Sequence, residues 1–347
     1  MAHWVHQHAL SPDQGFAQRA RERQSQLTKP PGSLGRLERL AVDLCALQGR
    51  DQPAAEHVEI VVFAGDHGVV EEGVSAFPQA VTGEMIKNFV RGGAAISVLA
   101  QQLDAGLTVV NMGTVSGEDF GDPVVGRPVA ASTRNLVREP AMTAEQCDQA
   151  LAVGREMVAQ FTDQVDILVG GEMGIGNTTS ASALACALGA GNPEELCGPG
   201  TGLDRDGVSL KSRIVGRALE RVGDRNSVLE ILAEFGGFEI AALTGFYIAA
   251  SQKGLVCLVD GFITSVAALV ACRINPGCRP WLVFSHTSAE PGHAKILSAL
   301  DGKPLLNLEM RLGEGSGAGV AVSLLRNACA LHNGMATFAE ASVSDGS

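Results

Sequence analysis

The sequence predicts an α/β protein: a doubly wound, mainly parallel sheet with helices on both faces. Three observations predict it. Short β-rich runs alternate with helical segments between residues 58 and 284. The runs are continuously apolar rather than alternating, as parallel strands covered on both faces require. Glycine and polar residues follow each run directly, and open parallel sheets bind their ligands at that edge.

The chain opens with His3, His6 and His8 and no apolar core, so residues 1–10 read as a frayed terminus rather than a signal peptide. Ser11-Pro12-Asp13 looks like a helix start, with Ser as cap and Pro in the first turn. That polar helix should end before Lys29-Pro30-Pro31-Gly32. Ser33 then opens a second helix, with Leu34, Leu37, Leu40, Leu44 and Leu47 on one stripe. Residues 49–55 read as a connection. Strands are expected at 58–63, 107–112, 165–169, 255–259 and 281–284, and helices between them include 180–188, 240–250 and 264–272. The apolar stretch 254–274 is long enough for a membrane span, but Asp260-Gly261 interrupts it. It reads as a strand, a turn and a buried helix, with no membrane segment. The helices before Gly49 and after Val320 lie outside the alternating core. They are expected to pair as a small helical subdomain of residues 1–50 with 320–347, beside an α/β catalytic domain of 51–319.

Composition narrows the function. With 347 residues, 46% hydrophobic but only 4% aromatic, and 42 glycines, the core must be Ala, Val, Leu and Ile with many tight backbone approaches. A net charge of −12 with no Lys/Arg-rich run argues against nucleic-acid partners, which need a basic stripe. The acidity itself reads as solubility; an anionic small molecule stays allowed where the site is locally positive. Eight cysteines without a C-x-x-C pair, several inside apolar runs, fit the reduced, buried thiols of a cytoplasmic protein.

Two glutamates stand out. Glu314 sits in Arg311-Leu312-Gly313-Glu314-Gly315-Ser316-Gly317-Ala318-Gly319, and Glu172 in Gly170-Gly171-Glu172-Met173-Gly174-Ile175-Gly176-Asn177-Thr178-Thr179. Glycine there lets backbone approach a ligand, and a lone carboxylate in that setting is placed for proton transfer. Gly174 to Thr179 precedes a small-residue helix, whose free N–H groups and dipole suit an anion; an ordinary capped helix is the alternative. It is neither a P-loop nor G-x-G-x-x-G. A second glycine loop, Gly198-Pro199-Gly200-Thr201-Gly202, is followed by Lys211 and Arg213, candidate anion partners in an acidic protein. Asp66-His67-Gly68 is open to a general-base or metal role, as is the set His286, Glu290 and His293. Pro291-Gly292 breaks the helix geometry a metal motif needs, so hydrogen-bonded loop residues are the better reading and no metal is assigned. A serine nucleophile lacks its G-x-S-x-G elbow.

Taken in order, several segments resemble one family: the nicotinate-nucleotide:dimethylbenzimidazole phosphoribosyltransferases of cobalamin lower-ligand assembly. They are Lys29-Pro30-Pro31-Gly32-Ser33-Leu34-Gly35-Arg36-Leu37-Glu38, Asp66-His67-Gly68-Val69, Gly171-Glu172-Met173-Gly174 with Asn177-Thr178-Thr179, Gly236-Gly237-Phe238, Asp260-Gly261-Phe262, Ser285-His286 with Ser288-Ala289-Glu290, and Arg311 to Gly317. The set runs from about residue 28 to 320. The resemblance implies a Rossmann-like sheet with a small helical domain, a homodimer, and no cofactor. It implies transfer of 5-phosphoribose from nicotinate mononucleotide to 5,6-dimethylbenzimidazole, giving α-ribazole 5′-phosphate and nicotinate. Glu314 is then the general base at the benzimidazole nitrogen, with Glu172 beside the base and Leu312 packed on it. Gly174, Asn177, Thr178, Lys211, Gly261 and Ser288 would hold the ribose phosphate. Phe77 and Met85 stand where some members of the family offer polar contacts to the base, which leaves preference among benzimidazoles and purines open.

The reaction also makes sense from its chemistry. The donor's pyridine nitrogen is cationic, so nicotinate leaves without a proton. The acceptor ring must shed one N–H proton as its other nitrogen attacks, so one carboxylate suffices. Two rivals differ in class. A Rossmann-type oxidoreductase would want G-x-G-x-x-G after the first strand, which is missing. A non-catalytic binder of a nucleotide or azole would keep its ligand after Glu314→Gln, with no turnover to lose.

Overall fold

The computed structural model describes residues 3–161, 164–223 and 227–344. Helices α1 (Gln14–Gln26) and α2 (Arg36–Gln48) precede strand β1 (Val58–Gly65). Between β1 and β2 (Gly106–Gly113) run α3 (Ala80–Val90) and α4 (Ala95–Leu103). β3 (Val125–Gly126) is followed by α5 (Ala144–Ala159). β4 (Ile167–Met173) leads into α6 (Asn177–Ala187), α7 (Pro193–Leu196), α8 (Arg205–Val222), α9 (Val228–Phe235) and α10 (Phe238–Lys253). β5 (Cys257–Val259) leads into α11 (Phe262–Ile274). β6 (Leu282–Phe284) is followed by α12 (His293–Ala299), α13 (Ser316–Gly334) and α14 (Phe338–Ala341).

The strands form one parallel sheet in the order β3-β2-β1-β4-β5-β6. The order reverses between β1 and β4, and that switch point opens a crevice at the strands' C-terminal ends. Apolar residues on both faces of β1 explain the two layers. Ile60, Val62 and Ala64 pack with Leu40 and Leu44 of α2 and Ala321, Val322 and Leu325 of α13. Val61 and Phe63 point the other way, into a core with Leu151 of α5 and Leu243 and Phe246 of α10. Glycine sets the closeness of that second layer. A Cβ on Gly154 would lie 1.9 Å from the Ala242 carbonyl oxygen, and one on Gly245 would lie 2.1 Å from that of Leu151. Helices α5 and α10 therefore touch backbone to backbone.

Charged caps from distant segments hold α13 at both ends. At its start the Asp260 carboxylate accepts the Gly315 and Ala318 amides. At its end Arg23 of α1 donates to the carbonyls of His332, Asn333 and Met335. An anion at the N-terminus and a cation at the C-terminus both match the helix dipole.

The structure corrects several local readings. The first ten residues are not frayed over their described part: Val5 is fully buried, Asn275 donates to the carbonyls of Val5 and Gln7, and the Trp281 indole donates to the Leu10 carbonyl at 2.7 Å. Asp13, not Ser11, caps the first helix, accepting from Gly15 and Phe16. The second helix begins at Arg36 behind Gly35, whose φ of 57° needs glycine, so Ser33 lies in a turn. β4 reaches Met173, which puts Glu172 within the strand's end. Two-residue β3 gave no sequence signal. Among the described residues no helix is long and apolar enough to cross a membrane. We propose that residues 1–50 with 320–347, whose outermost positions lie outside the described residues, act as one helical unit beside a catalytic domain of 51–319. The packing of α1 on α2 and of α2 on α13 supports that division.

Candidate active site

Every residue that the family resemblance assigns to the site, except Lys211, lines one cleft of about 580 Å³ at the sheet's C-terminal edge. That volume suits two small reactants more than a macromolecule. Its back wall is the end of β4, where Glu172 is 5% exposed and accepts a hydrogen bond from the Asn177 side chain. Burial holds the Glu172 carboxyl well above the usual range; the charges of Asp260 and Glu239 add to this, and the Asn177 hydrogen bond opposes it.

Glu314 faces it from a tight turn. Gly313, Glu314 and Gly315 all have left-handed backbone, with φ of 87°, 66° and 89°. Gly171 allows this turn to sit on β4, since a Cβ there would come within 2.4 Å of the Glu314 carbonyl oxygen. The Ile96 amide in the first turn of α4 donates to the carboxylate, while among the described residues Oε2 is buried with no hydrogen-bond partner. Burial raises the Glu314 pKa to about 6; the Ile96 hydrogen bond works against the rise and the Asp260 charge adds to it. A buried carboxylate whose pKa lies near neutrality can exchange a proton with a bound molecule at neutral pH.

The opposite end of the cleft suits an anion. Helix α6 starts there behind Gly176, whose φ is 96°, and presents Asn177 and Thr178. Lys211 does not line the cleft: it is 1% exposed, and its Nζ donates to Thr178 Oγ1 at 3.2 Å and to the Gly198 carbonyl at 3.0 Å. Burial lowers its pKa, with Glu290 opposing. Its charge therefore reaches the cleft through Thr178. Arg213, the other candidate cation of α8, is exposed and takes no part in the lining. Gly261 and Ser288 complete this side, with the Ser288 amide donating to His293 Nδ1 at 2.8 Å. That bond leaves the His293 Nε2 proton to face Ser265 Oγ at 3.0 Å. Half-exposed Phe77, half-buried Met85 and exposed Leu312 form the apolar rim on the glutamate side.

Asp66 and His67 lie behind the wall. His67 Nε2 is 2.7 Å from Glu239 Oε1, both fully buried, and Asp66 accepts the Val115 amide. They buttress Gly174, where an added Cβ would sit 3.3 Å from His67 Nε2. His286 and Glu290, expected as hydrogen-bonded loop residues, do line the cleft, and the Gly200 amide donates to Glu290 at 3.0 Å. Sequence reasoning missed Asp260, which caps α13 from behind.

A family model described as Phosphoribosyltransferase matches residues 10–343. A protein of Xanthomonas axonopodis pv. citri named nicotinate-nucleotide--dimethylbenzimidazole phosphoribosyltransferase is 58% identical over 345 residues, covering 99% of both chains. This chain belongs to the nicotinate-nucleotide–dimethylbenzimidazole phosphoribosyltransferase family. A phosphoribosyltransferase of the same name from Pseudomonas aeruginosa (strain UCBPP-PA14) is also 58% identical, over 99% of this chain and 98% of that one. The crystal structure of CobT from Thermus thermophilus superposes with a TM-score of 0.92 at 45% identity, covering 96% of this chain and 100% of that one. The α/β fold with a doubly wound parallel sheet expected from the sequence is thus the one observed. Within it the edge that carries the cleft gathers six buried carboxylates: Asp66, Glu172, Glu239, Asp260, Glu290 and Glu314.

Proposed function

We propose that the cleft transfers 5-phosphoribose from nicotinate mononucleotide to 5,6-dimethylbenzimidazole or a related azole base. The donor's C1′–N bond breaks with its electron pair leaving on nicotinate. The acceptor nitrogen bonds C1′ from the opposite face, which inverts the anomeric centre and gives α-ribazole 5′-phosphate. Glu314 Oε2 takes the acceptor's N–H proton. Glu172 flanks the base, with Phe77, Met85 and Leu312 supplying apolar contact. Gly174, Asn177, Thr178, Gly261 and Ser288 hold the ribose phosphate, and Lys211 adds charge through Thr178.

One observation carries this reading: the buried Oε2 of Glu314, unpartnered among the described residues, across a single cleft from the open N-terminus of α6. Positioning two bound reactants supplies most of the acceleration, and the base about 10²–10⁴. We propose a cytoplasmic homodimer that calls on neither nucleic acid nor membrane; the net charge of −12 supports the exclusion of nucleic acid. Purified protein incubated with nicotinate mononucleotide and dimethylbenzimidazole, with and without EDTA, should release nicotinate and α-ribazole phosphate in equal amounts. Binding of both compounds without turnover would redirect the search to other azoles and purines.

A further inference from the structure

We propose that Asp260 is the positioning residue for the base: it clamps the turn of residues 313–315 and so fixes where the Glu314 carboxylate points. This rests on the reading of Glu314 as general base. Asp260 directly follows β5 and is 1% exposed. Its Oδ2 accepts the Gly315 amide at 3.2 Å and its Oδ1 the Ala318 amide at 2.8 Å, with the Gly317 amide also donating to the carboxylate. These amides belong to the first turn of α13 or stand just before it, so the helix cannot satisfy them.

The turn needs an external hold. Glu314 is its one residue with a Cβ, and a left-handed conformation there costs about 1–2 kcal/mol. Such strain persists only where the surroundings over-determine it. Within the turn, the Ser316 amide and hydroxyl both bond the Gly313 carbonyl, at 2.9 and 2.7 Å. Those bonds close the turn on itself and leave its orientation free. Asp260 ties it to the sheet.

Capping alone explains the Ala318 bond but not the Gly315 bond, which grips the residue next to Glu314 before the helix begins. The charged and titratable groups that share the cleft or its wall with Glu314 are Glu172 on β4, Asp260 after β5, His286 and Glu290 after β6, and Arg311 in the same loop. His286 Nε2 is 3.7 Å from Asp260 Oδ1, and its ring packs where a Gly317 Cβ would be. The Asp260 charge also favours the protonated form of Glu314, which makes the ionised base stronger. Asparagine cannot replace it: one of the two accepting oxygens becomes an NH2 facing an N–H.

The test is a double-mutant cycle read in kcat, KM and pH profile. Asp260→Asn should lower kcat at least about tenfold with KM for both substrates within about twofold. Its acid limb should move to lower pH. In a Glu314→Gln background the same change should cost nothing further, because the group it positions is gone. An equal loss in both backgrounds, or normal kcat in Asp260→Asn, overturns the proposal. Full turnover in Glu314→Gln alone sinks the general-base reading instead. Should Asp260→Asn fail to fold, hydrogen exchange in the unaltered chain decides: protection of the 315 and 318 amides comparable to the middle of α13 supports the clamp, and free-chain rates overturn it.

Discussion

Glu314 combines a strained backbone, burial and a neighbouring negative charge, each of which opposes its ionised form or its conformation. Glu314→Gln should lower turnover at least about a hundredfold with only modest loss of base affinity, as steady-state kinetics and calorimetric titration of the base will measure. In the unaltered enzyme turnover should fall as pH drops through about 6, where the base becomes protonated. Stability runs the other way. A carboxyl whose folded pKa is raised contributes fully below its unfolded value and loses that contribution as pH rises through about 6. Glu314→Gln should thus stabilise the fold at pH 8 by about 1 kcal/mol, discounted for the solvent that still reaches the group, and not at pH 4. Lys211→Ala should raise KM for the mononucleotide more than for the base; an effect confined to the base would remove Lys211 from the phosphate end. The two glutamates were legible in sequence because glycines frame them, and glycine marks where backbone must turn or touch. Asp260 was not, since its partners lie 55 and 58 residues downstream. Nor was the burial of Lys211, because a lysine on an amphipathic helix ordinarily reads as solvated.

At the scale of elements, the α5–α10 crossing is the part least able to adapt. Gly154→Ala should destabilise the protein by about 1–3 kcal/mol, through forced separation of two helices, while leaving KM values near those of the parent. Thermal unfolding beside substrate kinetics checks this; an unchanged Tm would mean the helices slide apart at little cost. The long strands were readable because continuous apolar runs bounded by glycine have few other interpretations. β3 was not, since two residues carry no periodicity. Caps misled for a related reason. Ser11 and Ser33 both have cap chemistry, yet Asp13 and Gly35 do the work, because tertiary contacts choose among neighbouring candidates.

Across the whole molecule, two apolar cores on either side of one sheet leave the edge that carries the cleft as the place where polar groups concentrate. Phe77 and Leu312 are 48% and 59% exposed at that edge, and the homodimer that the family resemblance implies is open to a direct test. Light scattering at micromolar concentration should give twice the chain mass, and a single-chain mass would leave the homodimer reading without support. The helix-covered parallel sheet followed from the alternation of runs and helices, and the pairing of helices from the two ends of the chain was expected; the strand order and the core that α2 and α13 share with β1 were not legible. That sharing has a mechanical side. Helix α13 is a rod of about 28 Å, with Asp260 and the turn that carries Glu314 at one end and Arg23 of α1 at the other. A load or fusion applied at the C-terminus acts along that rod, so a tether placed there pulls on the chemistry, whereas one at the N-terminus pulls first on the Trp281 and Asn275 anchors behind the sheet.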